Sequence, residues 1–125
     1  MANKTKEFNR EIENRIEMEI IVDAHYELER AMGWYYYLQD NLDMPFKAEC
    51  IQLVSTSPLK IGEIIEVVAM DNEENCEYDI FVKIKWRNKE TFCVPLKQLK
   101  GMNVGDTTKQ ALNDWMYWNS QGYSF

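Results

Sequence analysis

The sequence predicts an α+β fold: N-terminal helices packed on a small SH3-like antiparallel β-barrel, with a C-terminal helix. Three observations predict it. Apolar residues recur at spacings of three and four as far as Leu42, they alternate one by one from Phe46 to Val94, and helical spacing returns after Thr107. One domain over residues 1–125 follows, with a helical part at about 5–43, a barrel part at about 46–104 and a last helix at about 107–119.

Phe8, Ile12, Ile16 and Ile20 form a four-residue repeat, which predicts a first helix over 5–22. The β-branched run Ile20-Ile21-Val22 weakens its end, and a short strand is the competing reading there. Asp23 is the expected N-cap of a second helix, whose inner face is Ala24, Leu28, Ala31, Tyr35, Leu38 and Leu42. Trp34, Tyr35, Tyr36 and Tyr37 succeed one another at about 100° around that helix, so they predict an element nearly surrounded by the fold. Gly33 marks a close approach, and Pro45 ends the helix by restricting Met44.

Period two then takes over. Phe46, Ala48 and Cys50 alternate with Lys47 and Glu49, and "SPLKIGEIIEVVAM" reads as a turn followed by a buried strand. In "YDIFVKIKW", Tyr78, Ile80, Val82, Ile84 and Trp86 are expected on one side. "RNKE" reads as a hairpin turn, and Phe92 and Val94 point inward on the return strand. A "VPLKQL" corner completes the barrel pattern. Thr107 or Thr108 caps the last helix, with Ala111, Trp115 and Trp118 on its inner face.

The net charge is −7, which argues against binding of nucleic-acid backbones. The charge is uneven: residues 7–30 carry eight acids and three bases, whereas 83–100 carry six bases and one acid. Three cysteines without a CxxC, and a start without an apolar signal region, point to a soluble cytoplasmic protein with reduced thiols and no membrane association.

Catalytic constellations are poorly supported by the sequence. His25 is the only histidine, which rules out a multi-histidine zinc site, and there is no phosphate-cradling Gly-rich loop. Cys50 reads as a core residue, and Cys76 lies among carboxylates that disfavour its thiolate. The expectation is a binding protein and not an enzyme.

Oxygen-ligand chemistry remains. Asp71, Glu73, Glu74, Glu77 and Asp79 put five carboxylates into nine positions. Asp40, Asn41 and Asp43 crowd the end of the second helix, where a carboxylate opposes the macrodipole. Calcium accepts such irregular sets of carboxylate, amide and carbonyl oxygens. The candidate ligands are therefore Asp40, Asn41, Asp43, Asp71, Glu73, Glu74 and Glu77. The 71–82 segment does not read as an EF-hand: Cys76 stands at the turn position that needs Gly, and Val82 at the position that needs a bidentate Glu.

The segments "AMGWYYYLQDNLDMPFKAECI", "SPLKIGEIIEVVAM", "ENCEYDIFVKIKW", "VPLKQLK" and "DWMYWNSQGYSF" resemble the small acidic calcium-binding proteins of the cyanobacterial CcbP type. The resemblance runs from about Arg10 to Phe125 and implies reversible calcium binding by surface carboxylates, without an EF-hand and without catalysis. It matches Asp40 to the Asp of the "YYYLxD" motif, and Glu73, Glu74 and Glu77 to the acidic loop. Gln39 stands where the family pattern favours an acid, and Met116 where it favours His. Buffering or sensing of Ca²⁺ at modest, salt-sensitive affinity, about 10⁻⁶–10⁻³ M, is expected. The alternative is an SH3-like interaction module whose acidic surface docks a basic protein partner.

Overall fold

The computed structural model describes residues 8–86 and 90–125. Asn9 caps helix α1 (Arg10–Arg15), its side chain accepting from the Ile12 backbone N–H at 3.0 Å. The chain stays helical but widens into a π-helical turn over Ile16–Ile20, in which the Ile21 N–H reaches the Ile16 carbonyl at 2.9 Å. Ile16 and Ile20 are buried, Ile12 is half-buried against the same core and Phe8 is exposed, so the expected apolar stripe faces the core from Ile12 onward. The helical reading of "IEMEI" holds, and residues 5–7 lie outside the described residues.

Helix α2 spans Glu27–Asn41 and starts later than expected. Asp23 is not its cap: it sits at φ +58° in the link between the helices, and Tyr26 occupies the cap position without a side-chain hydrogen bond. Leu28 is exposed for the same reason, because the buried face begins only at Ala31 and continues through Trp34, Tyr35 and Leu38. Nor is α2 surrounded, since Tyr36 is exposed. Gly33 is a point of contact as expected: a Cβ there would lie 2.4 Å from the Ile20 carbonyl oxygen.

Five strands follow: β1 (Phe46–Cys50), β2 (Ile64–Met70), β3 (Phe81–Trp86), β4 (Glu90–Pro95) and β5 (Leu99–Met102). They form one antiparallel sheet in the order β4-β3-β2-β1-β5. The alternation predicted for β1 and for the inward residues Val82, Ile84 and Val94 is observed. Tyr78 departs from it. It is 92% exposed, because the chain leaves the ladder before Phe81 and Tyr78 lies in the preceding loop. The barrel is also corrected: β4 and β5 are the two edges and do not pair with each other, so the sheet is open. A 3-10 turn over Leu96–Gln98 makes the expected corner. The turn expected at "RNKE" lies outside the described residues, apart from Glu90.

Helix α3 (Asp106–Ser120) begins at Gly105, so neither Thr107 nor Thr108 is its cap. Its buried face contains Ala111, Leu112, Trp115 and Trp118. Trp34 packs edge-on against Trp115 at 5.0 Å between centroids and tilts against Trp118 at 5.5 Å, which joins α2 to α3. These rings and the inner face of the sheet share one core. No helix among the described residues is long and apolar enough to cross a membrane.

Candidate functional site

The acidic segment after β2 is a short loop wrapped around a 3-10 turn, Glu73–Cys76. Asp71 organises it. The Asp71 Oδ1 accepts from the Asn72 backbone N–H at 2.7 Å and from the Asn75 side-chain amide at 3.1 Å, while its own N–H donates to the Phe81 carbonyl at 3.0 Å. Cys76 is the inward residue of the loop, fully buried, and its sulfur accepts from the Phe81 N–H at 3.4 Å. Burial, and then the neighbouring carboxylates, push the Cys76 thiol up to about 11, so it is neutral at physiological pH.

Two tyrosines of α2 hold the loop. The Tyr35 hydroxyl donates to the Asp71 carbonyl at 2.5 Å, and the Tyr36 hydroxyl donates to the Glu73 carboxylate. The Glu73 contact raises the Tyr36 phenol above its ordinary value, and burial does the same for Tyr35. Both therefore remain donors. Tyr36 and Asp40 are four residues apart on one helix, so Asp40 lies one turn along the stripe that meets Glu73.

Asp40 is exposed in the last turn of α2, where no basic residue offsets it. Asn41 ends the helix and donates its side-chain amide to the Tyr37 carbonyl at 2.7 Å, leaving its amide oxygen without an internal donor among the described residues. Asp43 is exposed, and its backbone N–H is anchored to the Thr108 hydroxyl at 2.9 Å. Its side chain borders a shallow depression shared with Gln39 and the end of β2 at Ala69 and Met70. It also borders another that Lys47 lines. Glu74 is exposed on the loop. Glu77 turns elsewhere, into a cleft of about 610 Å³ shared with Glu27, Arg30 and Phe125.

The seven predicted ligands thus fall into three places. Asp71 and Glu73 are drawn to α2, with Glu74 exposed beside them on the same loop, Asp40, Asn41 and Asp43 stand at the end of α2, and Glu77 faces the C-terminal cleft. Among the described residues, no group of three or more His, Cys, Asp or Glu side chains converges as a ready metal site. The donor set nonetheless suits calcium, because the carboxylates of Asp40, Asp43, Glu74 and Glu77 make no internal hydrogen bond or ion pair among the described residues. These are hard oxygens on exposed or half-exposed side chains, free to rotate towards an ion.

Sequence reading missed Tyr35 and Tyr36 as loop anchors, because an aromatic run on a helix registers as core. It also missed Asp114, fully buried on α3. The available signal was an acid inside the apolar spacing of Ala111, Trp115 and Trp118.

A family model described as calcium binding, of the CcbP type, matches residues 14–119. A solved structure described as Anabaena CcbP is 36% identical, covers 95% of this chain and 97% of its own, and superposes with a TM-score of 0.85. Another, described as a calcium binding protein in the calcium-binding form, is 34% identical over 100% of both chains, again with a TM-score of 0.85. Among curated proteins, no match is found. With the family match and the structural agreement both running through α2, the acidic loop and α3, the chain belongs to the CcbP family of calcium-binding proteins.

Proposed function

We propose that this chain binds calcium ions reversibly through surface carboxylates outside any EF-hand, and that it buffers or senses the ion in the cytoplasm without catalysing a reaction. One observation carries the reading: Tyr35 and Tyr36 tie the acidic loop to the face of α2 that leads to Asp40. Oxygens from two distant segments are thereby kept near one another, and the entropy of ordering them is spent in folding and not in binding. Asp40 is the principal ligand, with Asn41 and Asp43 beside it and Asp71, Glu73 and Glu74 supplied by the loop, whereas Glu77, also expected from the sequence, faces the C-terminal cleft and stands apart from this set. The non-EF-hand character is supported by the strands on either side of the loop, β2 and β3, where an EF-hand has helices.

Calorimetric titration of chelator-stripped protein with Ca²⁺ and Mg²⁺ tests this. Saturable calcium heat, weakened about tenfold or more by Asp40→Ala and not reproduced by Mg²⁺, is expected. Binding that survives Asp40→Ala but is lost in Glu73→Gln/Glu74→Gln moves the site to the loop. Absence of saturable heat refutes the proposal.

A second reading, docking of a basic partner on the acidic surface, is favoured by the cleft that Glu27, Glu77 and the exposed Tyr78 line together with Arg30. A complex that forms equally in chelator and weakens with salt would support it over calcium binding.

A further inference from the structure

We propose that Thr108, on α3, is a positioning residue for calcium: it fixes the turn that presents Asp40, Asn41 and Asp43, and thereby raises the affinity of that segment for the ion. The proposal rests on the calcium reading above and names a residue outside the ligand set. Thr108 is 2% exposed and is, with Gln98 and Asp114, one of three buried polar residues among those described. Its hydroxyl is used entirely on the end of α2. The oxygen accepts from the Asp43 backbone N–H at 2.9 Å, and its proton is directed to the Asn41 carbonyl at 3.4 Å.

The two bonds straddle the residue at which α2 stops. Leu42 donates the last helical hydrogen bond, from its N–H to the Leu38 carbonyl at 2.9 Å, and then turns into extended backbone at φ −85° and ψ 121°. Its side chain is buried, whereas Asp40 and Asp43 are exposed and Asn41 is half-buried. Leu42 thus anchors the turn by its side chain, and Thr108 anchors it by the backbone on either side. Asp114, further along α3, adds a second hold: it accepts from the Tyr37 hydroxyl at 2.7 Å, and the Tyr37 carbonyl accepts from the Asn41 side-chain amide at 2.7 Å. The last turn of α2 is therefore fixed to α3 at both its ends. This matters because the carboxylates of Asp40 and Asp43 repel each other when brought together, and no basic residue lies in that last turn. A free turn would let them swing apart, and an ion would have to gather them again, which lowers its affinity. Thr108 holds the backbone while the two side chains stay free to rotate onto the ion.

The test is calorimetric titration of the chelator-stripped full chain with Ca²⁺, comparing wild type with Thr108→Val and Thr108→Ser. Valine keeps the shape and removes both hydrogen bonds, whereas serine keeps the hydroxyl. Thr108→Val should weaken calcium about tenfold, and Thr108→Ser should stay within about twofold of wild type. Ile84→Val, which trims a buried side chain of β3, reports what lost stability does by itself and should leave calcium affinity unchanged. Amide hydrogen exchange on the wild type needs no variant. Calcium should slow exchange of the Asp43 N–H about tenfold, because an ion that favours the held turn also strengthens the bond that holds it. Thr108→Val binding as tightly as wild type, serine failing to rescue, equal weakening by Ile84→Val, or an Asp43 amide indifferent to calcium would each overturn the proposal and leave calcium binding standing. Absence of saturable heat in the wild type would instead refute the calcium reading, and this proposal with it.

Discussion

Arg15 and Asp114, separated by 99 positions, form a two-pronged ion pair that fastens the first helix to the last. Nε donates to Oδ2 at 2.8 Å and a terminal guanidinium nitrogen to Oδ1 at 2.7 Å. The Tyr37 hydroxyl adds a third donor to Oδ2 at 2.7 Å, so α1, α2 and α3 meet on one buried carboxylate. Asp114 holds the Arg15 guanidinium firmly protonated. Arg15→Ala leaves that carboxylate without its countercharge and should destabilise the fold by about 3–5 kcal/mol in urea denaturation. Arg15→Met combined with Asp114→Leu should recover a large part of the loss, because no buried charge then stands alone. A single-variant loss well under 1 kcal/mol would show that water reaches the pair.

Gly33 yields a prediction opposite to helix propensity. Alanine is the better helix former by about 1 kcal/mol. Its Cβ would nevertheless lie 2.4 Å from the Ile20 carbonyl oxygen, a backbone atom that cannot rotate away. Gly33→Ala should therefore destabilise by about 1–3 kcal/mol, as other overpacked sites do. Thermal unfolding that is unchanged or raised would mean that the link between α1 and α2 yields easily.

Alkaline stability should follow the buried thiol. Cys76 rises from 9.0 in the unfolded chain to about 11 when folded, and burial takes Tyr37 from 10.0 to about 12. As pH rises past 9 the unfolded chain loses these protons before the native one does, so the stability they contribute is complete below pH 9 and is lost through about pH 11 to 12. Cys76 accounts for up to about 2–3 kcal/mol of this loss. Cys76→Ala should flatten the decline between pH 9 and 11, although its cavity lowers stability at every pH. An equal slope in wild type and variant would assign the decline to other groups.

Calcium should stabilise the protein through mass action. At about a hundredfold excess over its dissociation constant, calcium adds about 2.7 kcal/mol to the unfolding free energy. Differential scanning fluorimetry should show a raised midpoint that chelator reverses and that shrinks with added salt. An equal rise with Mg²⁺ would indicate diffuse charge relief and not a site.

Much of this arrangement is legible in the residues alone. Period two in Phe46–Cys50 and in Ile80–Ile84 assigns those strands and their buried sides, because alternation reports directly which face meets water. The spacing of Ala111, Trp115 and Trp118 fixes the inner face of α3 in the same way. The acidic loop and the end of α2 stand out by charge, since carboxylates crowded together or set against a helix dipole invite a compensating cation. Partnership over distance is not local and leaves no period to read. Which hydroxyls hold Asp71 and Glu73, that Glu77 faces another cleft, and that Asp114 answers Arg15 were decided by the packing of α1, α2 and α3. So was the open sheet, because each strand's pattern states which side is buried, and only the arrangement of all five decides whether the edges meet.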